Sequence, residues 1–159
     1  MNKVKRVLFI CLGNTARSPV AEYLARDYAE RNNADLILSS AGFINAFSYM
    51  QRESQEYLNS KNINHSDFHP QLINRSLLEQ QDLILTMEKT HSLDIIRDFN
   101  DIKDIDKKIF TLKEYNGVID DINIIDPYYT SNKTYKKVLR IIDEFVEKSI
   151  KKIVHSNEL

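Results

Sequence analysis

The chain has 159 residues, 42% hydrophobic and 28% charged, the size of one domain with a substantial core. Its 22 basic and 23 acidic residues nearly cancel, so no overall field recruits nucleic acid or an anionic membrane surface, and any attraction for phosphate must be local. The single cysteine excludes an internal disulfide, and there is neither a signal peptide nor an apolar run of the ~20 residues a membrane helix needs, so a cytoplasmic protein is expected.

Met1 to Arg6 is a polar lead-in to Val7–Ile10, an apolar run of strand type that stops at Cys11. Gly13 and Asn14 tolerate positive φ, and Ser18-Pro19 reads as the N-cap and first position of a helix. Strand, tight loop and helix together make an anion-binding nest, in which the N–H groups of Leu12, Gly13, Asn14, Thr15, Ala16 and Arg17 converge beside a helix N-terminus. A lone cysteine at a strand end is otherwise an inert small hydrophobe. At the mouth of such a nest its thiolate is stabilised, and the spacing Cys11-x5-Arg17 lets a planar guanidinium fork hold phosphate oxygens above an in-line sulfur nucleophile.

The following helix presents Val20, Ala21, Leu24 and Tyr28 on one face, with Glu22 in its first turn, and ends at Arg31-Asn32-Asn33. Leu36–Ser39 reads as a second strand, and residues 43–50, with Phe43, Phe47 and Tyr49, as an irregular loop whose aromatics reach a pocket mouth or cover the core edge. Helices are expected over Ser54–Lys61, over Arg75–Gln81 with Asn74 as cap, and over Thr90–Phe99 with Leu93, Ile96 and Phe99 on one face. Strands are expected at Leu83–Met87 and Ile109–Leu112. His65, Asp67 and His69 alternate in a polar connection, but no further ligand-spaced pair supports a metal, and surface positions are expected.

An acidic loop over 116–132 holds Asp120, Asp121 and Asp126, of which only Asp126 is fixed by a following proline and two tyrosines. The final helix carries a stripe of Tyr135, Val138, Leu139, Ile142, Phe145, Val146 and Ile150, which reads as core packing. The alternation of strands and helices predicts an α/β parallel sheet covered on both faces, one domain over 1–155, with a frayed tail at 156–159.

Cys11-Leu12-Gly13-Asn14-Thr15-Ala16-Arg17-Ser18-Pro19 resembles the signature loop of the low-molecular-weight protein tyrosine phosphatase family, and Asp126-Pro127-Tyr128-Tyr129 resembles its acid loop. Ser40-Ala41-Gly42, Asp82–Met87 and Phe110-Thr111-Leu112 fall in the family's order. The resemblance implies a four-stranded sheet in the order 2-1-3-4 and hydrolysis through a phosphocysteine. In that scheme Cys11 is the nucleophile, Arg17 and the loop N–H groups hold the phosphoryl oxygens, and Asp126 is the general acid and then base. Ser18 donates to the thiolate, Asn14 pins the loop through Ser40, and Tyr128, Tyr129, Leu12 and Phe47 wall the substrate slot. No metal or cofactor is required; the expected partner is a phosphorylated protein or peptide, with inorganic phosphate as product.

Three departures matter. Ala16 stands where many relatives carry a second cysteine, so an oxidised Cys11 has no neighbouring thiol to trap it. Asp67 stands where relatives often have a histidine, leaving His65 or His69 as substitutes behind Asn14. Thr15, together with Phe110–Tyr115, resembles the protein arginine phosphatases, whereas Tyr128-Tyr129 resembles the tyrosine-specific branch; the two tyrosines shape the whole wall, and phosphotyrosine is the expected substrate. Arsenate reduction is disfavoured by the lack of resolving cysteines, and a non-catalytic phosphate-binding module by the presence of nucleophile, arginine and acid together.

Overall fold

The computed structural model describes residues 3–159. Four strands, β1 (Arg6–Cys11), β2 (Ile37–Gly42), β3 (Leu83–Thr86) and β4 (Ile109–Thr111), pair in parallel in the order β2-β1-β3-β4. This is the expected topology. β1 can be an unbroken apolar run because both of its faces are covered. Val7, Phe9 and Cys11 point into the core built with α1 (Arg17–Arg31), α2 (Arg52–Ser60) and α6 (Asn132–Glu158), while Leu8 and Ile10 point into a second core with α3 (Arg75–Glu79) and α4 (Lys89–Asp98). Leu8, Phe9 and Ile10 are fully buried, each stabilising the fold by roughly 1.5–3 kcal/mol. β2 lies on one side of β1 and β3 on the other, so the β1–α1 loop opens at a topological switch point.

Several boundaries differ from the sequence reading. α1 begins at Arg17 with Ala16 at the N-cap, so Ser18 and Pro19 lie inside the first turn. Pro19 is tolerated there because the first-turn N–H groups have no intrahelical acceptor. β2 runs to Gly42, since Ser39, Ser40 and Ala41 pair with Leu8, Phe9 and Ile10 despite their weak strand character. On α4 the buried residues are His91, Ser92 and Ile95, whereas Leu93 is exposed. Leu112–Tyr115 forms a further short helix, α5, capped by Thr111 and Glu114 in a reciprocal capping box. The expected frayed tail is instead the last turn of α6. Asn157 accepts from the Val4 N–H and donates to the Val4 carbonyl, which ties that turn to the lead-in of β1. Among the described residues no helix is long and apolar enough to cross a membrane.

Candidate active site

The loop between β1 and α1 is shaped by what each residue tolerates. Asn14 is its left-handed residue, with φ of 53°, whereas Gly13 is needed for space, because a Cβ there would lie 2.8 Å from Ala46 Cβ. Gly42, where β2 ends, lets the loop approach: a Cβ would meet both Asn14 N and Leu12 O at 2.8 Å. The Leu12 carbonyl accepts from Phe43 and Ile44, and the Thr15 carbonyl accepts from the Gln51 N–H at 2.8 Å. Among the described residues no backbone N–H of residues 12–16 donates to another protein group, which leaves them for an anion.

Asn14 orders the protons around the thiol. Its Nδ2 donates to Ser18 Oγ and to Ser40 Oγ, both at 2.9 Å, and Ser40 donates onward to Glu22 at 2.6 Å. Ser18, accepting from Asn14, therefore has its own proton left for Cys11 Sγ, 2.9 Å away. That is why Ser18 does not cap α1. Gln71 closes the back of the array, its N–H donating to Asn14 Oδ1 at 3.0 Å and its side chain to the Ser40 carbonyl at 2.9 Å. Burial pushes the Glu22 carboxyl up, against the Ser40 hydrogen bond and the Arg26 guanidinium.

Arg17 is buried on α1. Its Nη1 donates to Glu88 and to the Ile124 carbonyl, each at 2.6 Å, and its Nη2 lies 3.8 Å from Asp126 Oδ2. Ile124 also donates its N–H to the Met87 carbonyl at 2.8 Å, so the acid loop is anchored at the end of β3. The half-exposed Asp126 accepts the Tyr128 N–H at 3.0 Å, an Asx turn that fixes the carboxylate. His91, 3.7 Å from Glu88, stacks on Phe43, and burial holds its imidazole below the ordinary value. Asp120 and Asp121 are exposed, Asp121 pairing with Lys113.

Cys11, Arg17 and Asp126 thus open on one cup walled by Leu12, Phe47 and Tyr128. Phe47 and Tyr128 meet edge to face at 5.6 Å. Tyr129 stands apart from these walls. It lies against Tyr128 with ring centroids 4.0 Å apart, is 92% exposed, and lines the adjoining hollow rather than the cup.

Residues 6–158 match the low molecular weight phosphotyrosine protein phosphatase family. The chain belongs to that family. It is 33% identical over 151 residues to a protein-arginine-phosphatase of Bacillus subtilis, covering 92% of this chain and 95% of that one. With the low molecular weight phosphotyrosine protein phosphatase of mouse it shares 30% over 155 residues, 91% and 96% of the two chains. The crystal structure of the T. tengcongensis low molecular weight protein tyrosine phosphatase superposes with a TM-score of 0.83 at 31% identity, over 93% of this chain and 99% of that one.

Within this family's frame the structure replaces the expected histidine behind the loop differently. Neither His65, bonded to Asn59, nor His69, on the rim by Asn45 and Phe47, reaches Asn14. Gln71, Ser40 and Glu22 fill that place, and Asp67 instead pairs with Arg26 and accepts from Tyr23 at 2.7 Å. The functional positions that sequence reasoning missed are Glu88, Ile124, Gln71 and Gln51. Each acts through a contact more than thirty residues distant in sequence and carries no local pattern.

Proposed function

We propose that this phosphatase hydrolyses phosphotyrosine in proteins or peptides through a phosphocysteine on Cys11. The observation that carries the reading is the convergence of thiol, guanidinium and carboxylate on one cup with apolar and aromatic walls. Cys11, as thiolate stabilised by the Ser18 hydroxyl, attacks phosphorus. The S–P bond forms as the P–O bond to the aryl group breaks, and the Asp126 carboxyl delivers its proton to the departing oxygen. Arg17 and the loop N–H groups hold the equatorial oxygens throughout. Water then attacks the phosphocysteine while Asp126 takes its proton, and the S–P bond breaks to release inorganic phosphate and regenerate the thiolate. A single working thiol suits a reducing, cytoplasmic setting.

Phosphoarginine is the second reading, supported by the buried hydroxyl of Thr15 in the cup, by Tyr129 standing outside it, and by the arginine phosphatase relative. Hydrolysis of a phosphotyrosine peptide and a phosphoarginine peptide side by side tests the ranking. A greater kcat/KM for phosphotyrosine is expected, and the reverse order replaces the first reading by the second.

A further inference from the structure

Gln51 occupies the N-cap of α2, where a polar side chain ordinarily bonds the first-turn N–H groups, yet its carboxamide caps nothing. It is turned into the loop instead. Its nitrogen lies 3.2 Å from Thr15 Oγ1 and its oxygen 2.9 Å from the Tyr135 hydroxyl. Tyr135 in turn lies 2.8 Å from Ser54 Oγ, and Ser54 lies 2.8 Å from the Ala16 carbonyl. A continuous chain of polar groups therefore leaves the loop at Ala16, passes through α2 and α6, and returns to the loop at Thr15.

Each hydroxyl in this chain has one proton and the Ala16 carbonyl can only accept, so the carboxamide can face the chain in two ways. In one, Ser54 donates to Ala16, Tyr135 to the Gln51 oxygen, and the Gln51 nitrogen to Thr15, so Thr15 keeps its proton for the cup while Ser54 and Tyr135 meet with no proton between them. In the other, Ser54 donates to Ala16, Tyr135 to Ser54, and the carboxamide turned end for end donates to Tyr135 and accepts from Thr15. Thr15 then shows the cup only lone pairs. The exchange needs no movement of backbone, only a turn of the amide and of the Tyr135 and Thr15 hydroxyls.

We propose that Gln51 is a positioning residue for specificity: its carboxamide sets whether Thr15 meets the substrate as a donor or as an acceptor. An aryl phosphate brings only acceptor oxygens to the cup and is served by the first arrangement. A guanidino phosphate brings N–H donors and is served by the second. This inference rests on the phosphatase reading above.

The test is Gln51→Glu, with kcat/KM measured for phosphotyrosine and phosphoarginine peptides in parent and variant. The change is isosteric, and a carboxylate at the start of α2 is favoured by the helix dipole. An ionised Glu accepts only, so Thr15 and Tyr135 must both donate to it and the acceptor form is locked. The phosphoarginine-to-phosphotyrosine ratio should rise roughly three- to tenfold. Two controls separate the route. In a Thr15→Val background the same change should leave the ratio unmoved, whereas a direct charge effect would raise it there too. Gln51→Leu removes the donor to Thr15 without adding an acceptor and should raise the ratio by less than Gln51→Glu does; a shift as large as that of Gln51→Glu would mean packing, and would overturn the proposal. Hydrolysis of both peptides with an unmoved ratio sinks this inference alone, while hydrolysis of neither by the parent sinks the phosphatase reading with it.

Discussion

Asn14 does two jobs at once, and substitution separates them. Its side chain makes three hydrogen bonds, to Ser18, to Ser40 and from the Gln71 N–H, and its backbone sits at φ of 53°. Asn14→Gly removes the hydrogen bonds but suits the backbone; at ~1 kcal/mol net for each bond the loss is about 3 kcal/mol. Asn14→Ala removes the same bonds and adds the left-handed penalty of about 1–2 kcal/mol, for a loss of about 4–5 kcal/mol. Against the ~5–15 kcal/mol of a typical domain, both should be plain in urea unfolding. Activity should fall in both, because Ser18 loses the donor that turns its proton towards Cys11. A hydrogen bond to a charged partner is worth ~1.5–3 kcal/mol, so kcat/KM on an aryl phosphate should drop about 10- to 100-fold. Equal stability of the two variants would refute the backbone argument, and full activity in either would refute the proton ordering around the thiol.

Asp126→Ala should slow substrates with poor leaving groups far more than activated aryl phosphates, by ~10²–10⁴ for the former, since only they need a proton; equal slowing, read in steady-state kcat, would move the acid elsewhere. Asp143 makes the fold pH-dependent. Burial pushes its carboxyl up, but hydrogen bonds from Tyr28, Tyr57 and Lys61 outweigh this and hold it below the ordinary value. A depressed carboxyl contributes stability that is complete above its unfolded value near ~3.9 and is lost as pH falls through the lower folded value. Asp143→Asn should therefore cost about 1–3 kcal/mol at neutral pH and clearly less near pH 2, and urea unfolding that gave the same difference at both would contradict the assignment.

The Cys11 loop was legible because its information is local, an apolar run, a left-handed-tolerant pair and Arg17 at fixed spacing, whereas the strand order, which no local pattern carries, came only through the family resemblance. Where a side chain served two demands, the reading slipped. Ser18 looks like a cap, but its hydroxyl is committed to Cys11, and α1 starts two residues earlier than the Ser-Pro signal implies. Leu93 fits an apolar face on α4, yet the helix turns the small and polar Ser92 inward, where its hydroxyl meets Thr86 at 2.7 Å. The capping box that opens α5, Thr111 to Glu114, was present in the sequence and passed over because a four-residue helix leaves no periodicity. Tyr128 and Tyr129 stay in ring contact, but only Tyr128 reaches the cup wall, while Tyr129, at a φ of 67°, lies outside it.

The arrangement of Arg17 explains how one guanidinium serves both the fold and the substrate. Buried without a partner it would cost several kcal/mol, and Glu88 removes that penalty from one side only. Both Nη1 donors are taken, by Glu88 and by the Ile124 carbonyl, while among the described residues Nε and Nη2 donate to no protein group, which suits the parallel pair of bonds that a phosphoryl group accepts. The same two contacts set the acid. Ile124 is clamped between Arg17 and Met87, and Asp126 follows two residues later, so the carboxylate is positioned from the same group that is proposed to hold the phosphoryl oxygens. A shift of the acid loop must then move Arg17 as well. The proposed nucleophile and clamp flank the β1–α1 loop while the proposed acid comes from a distant segment, and the two segments keep a common register because the buried Arg17 guanidinium reaches from the first to the second.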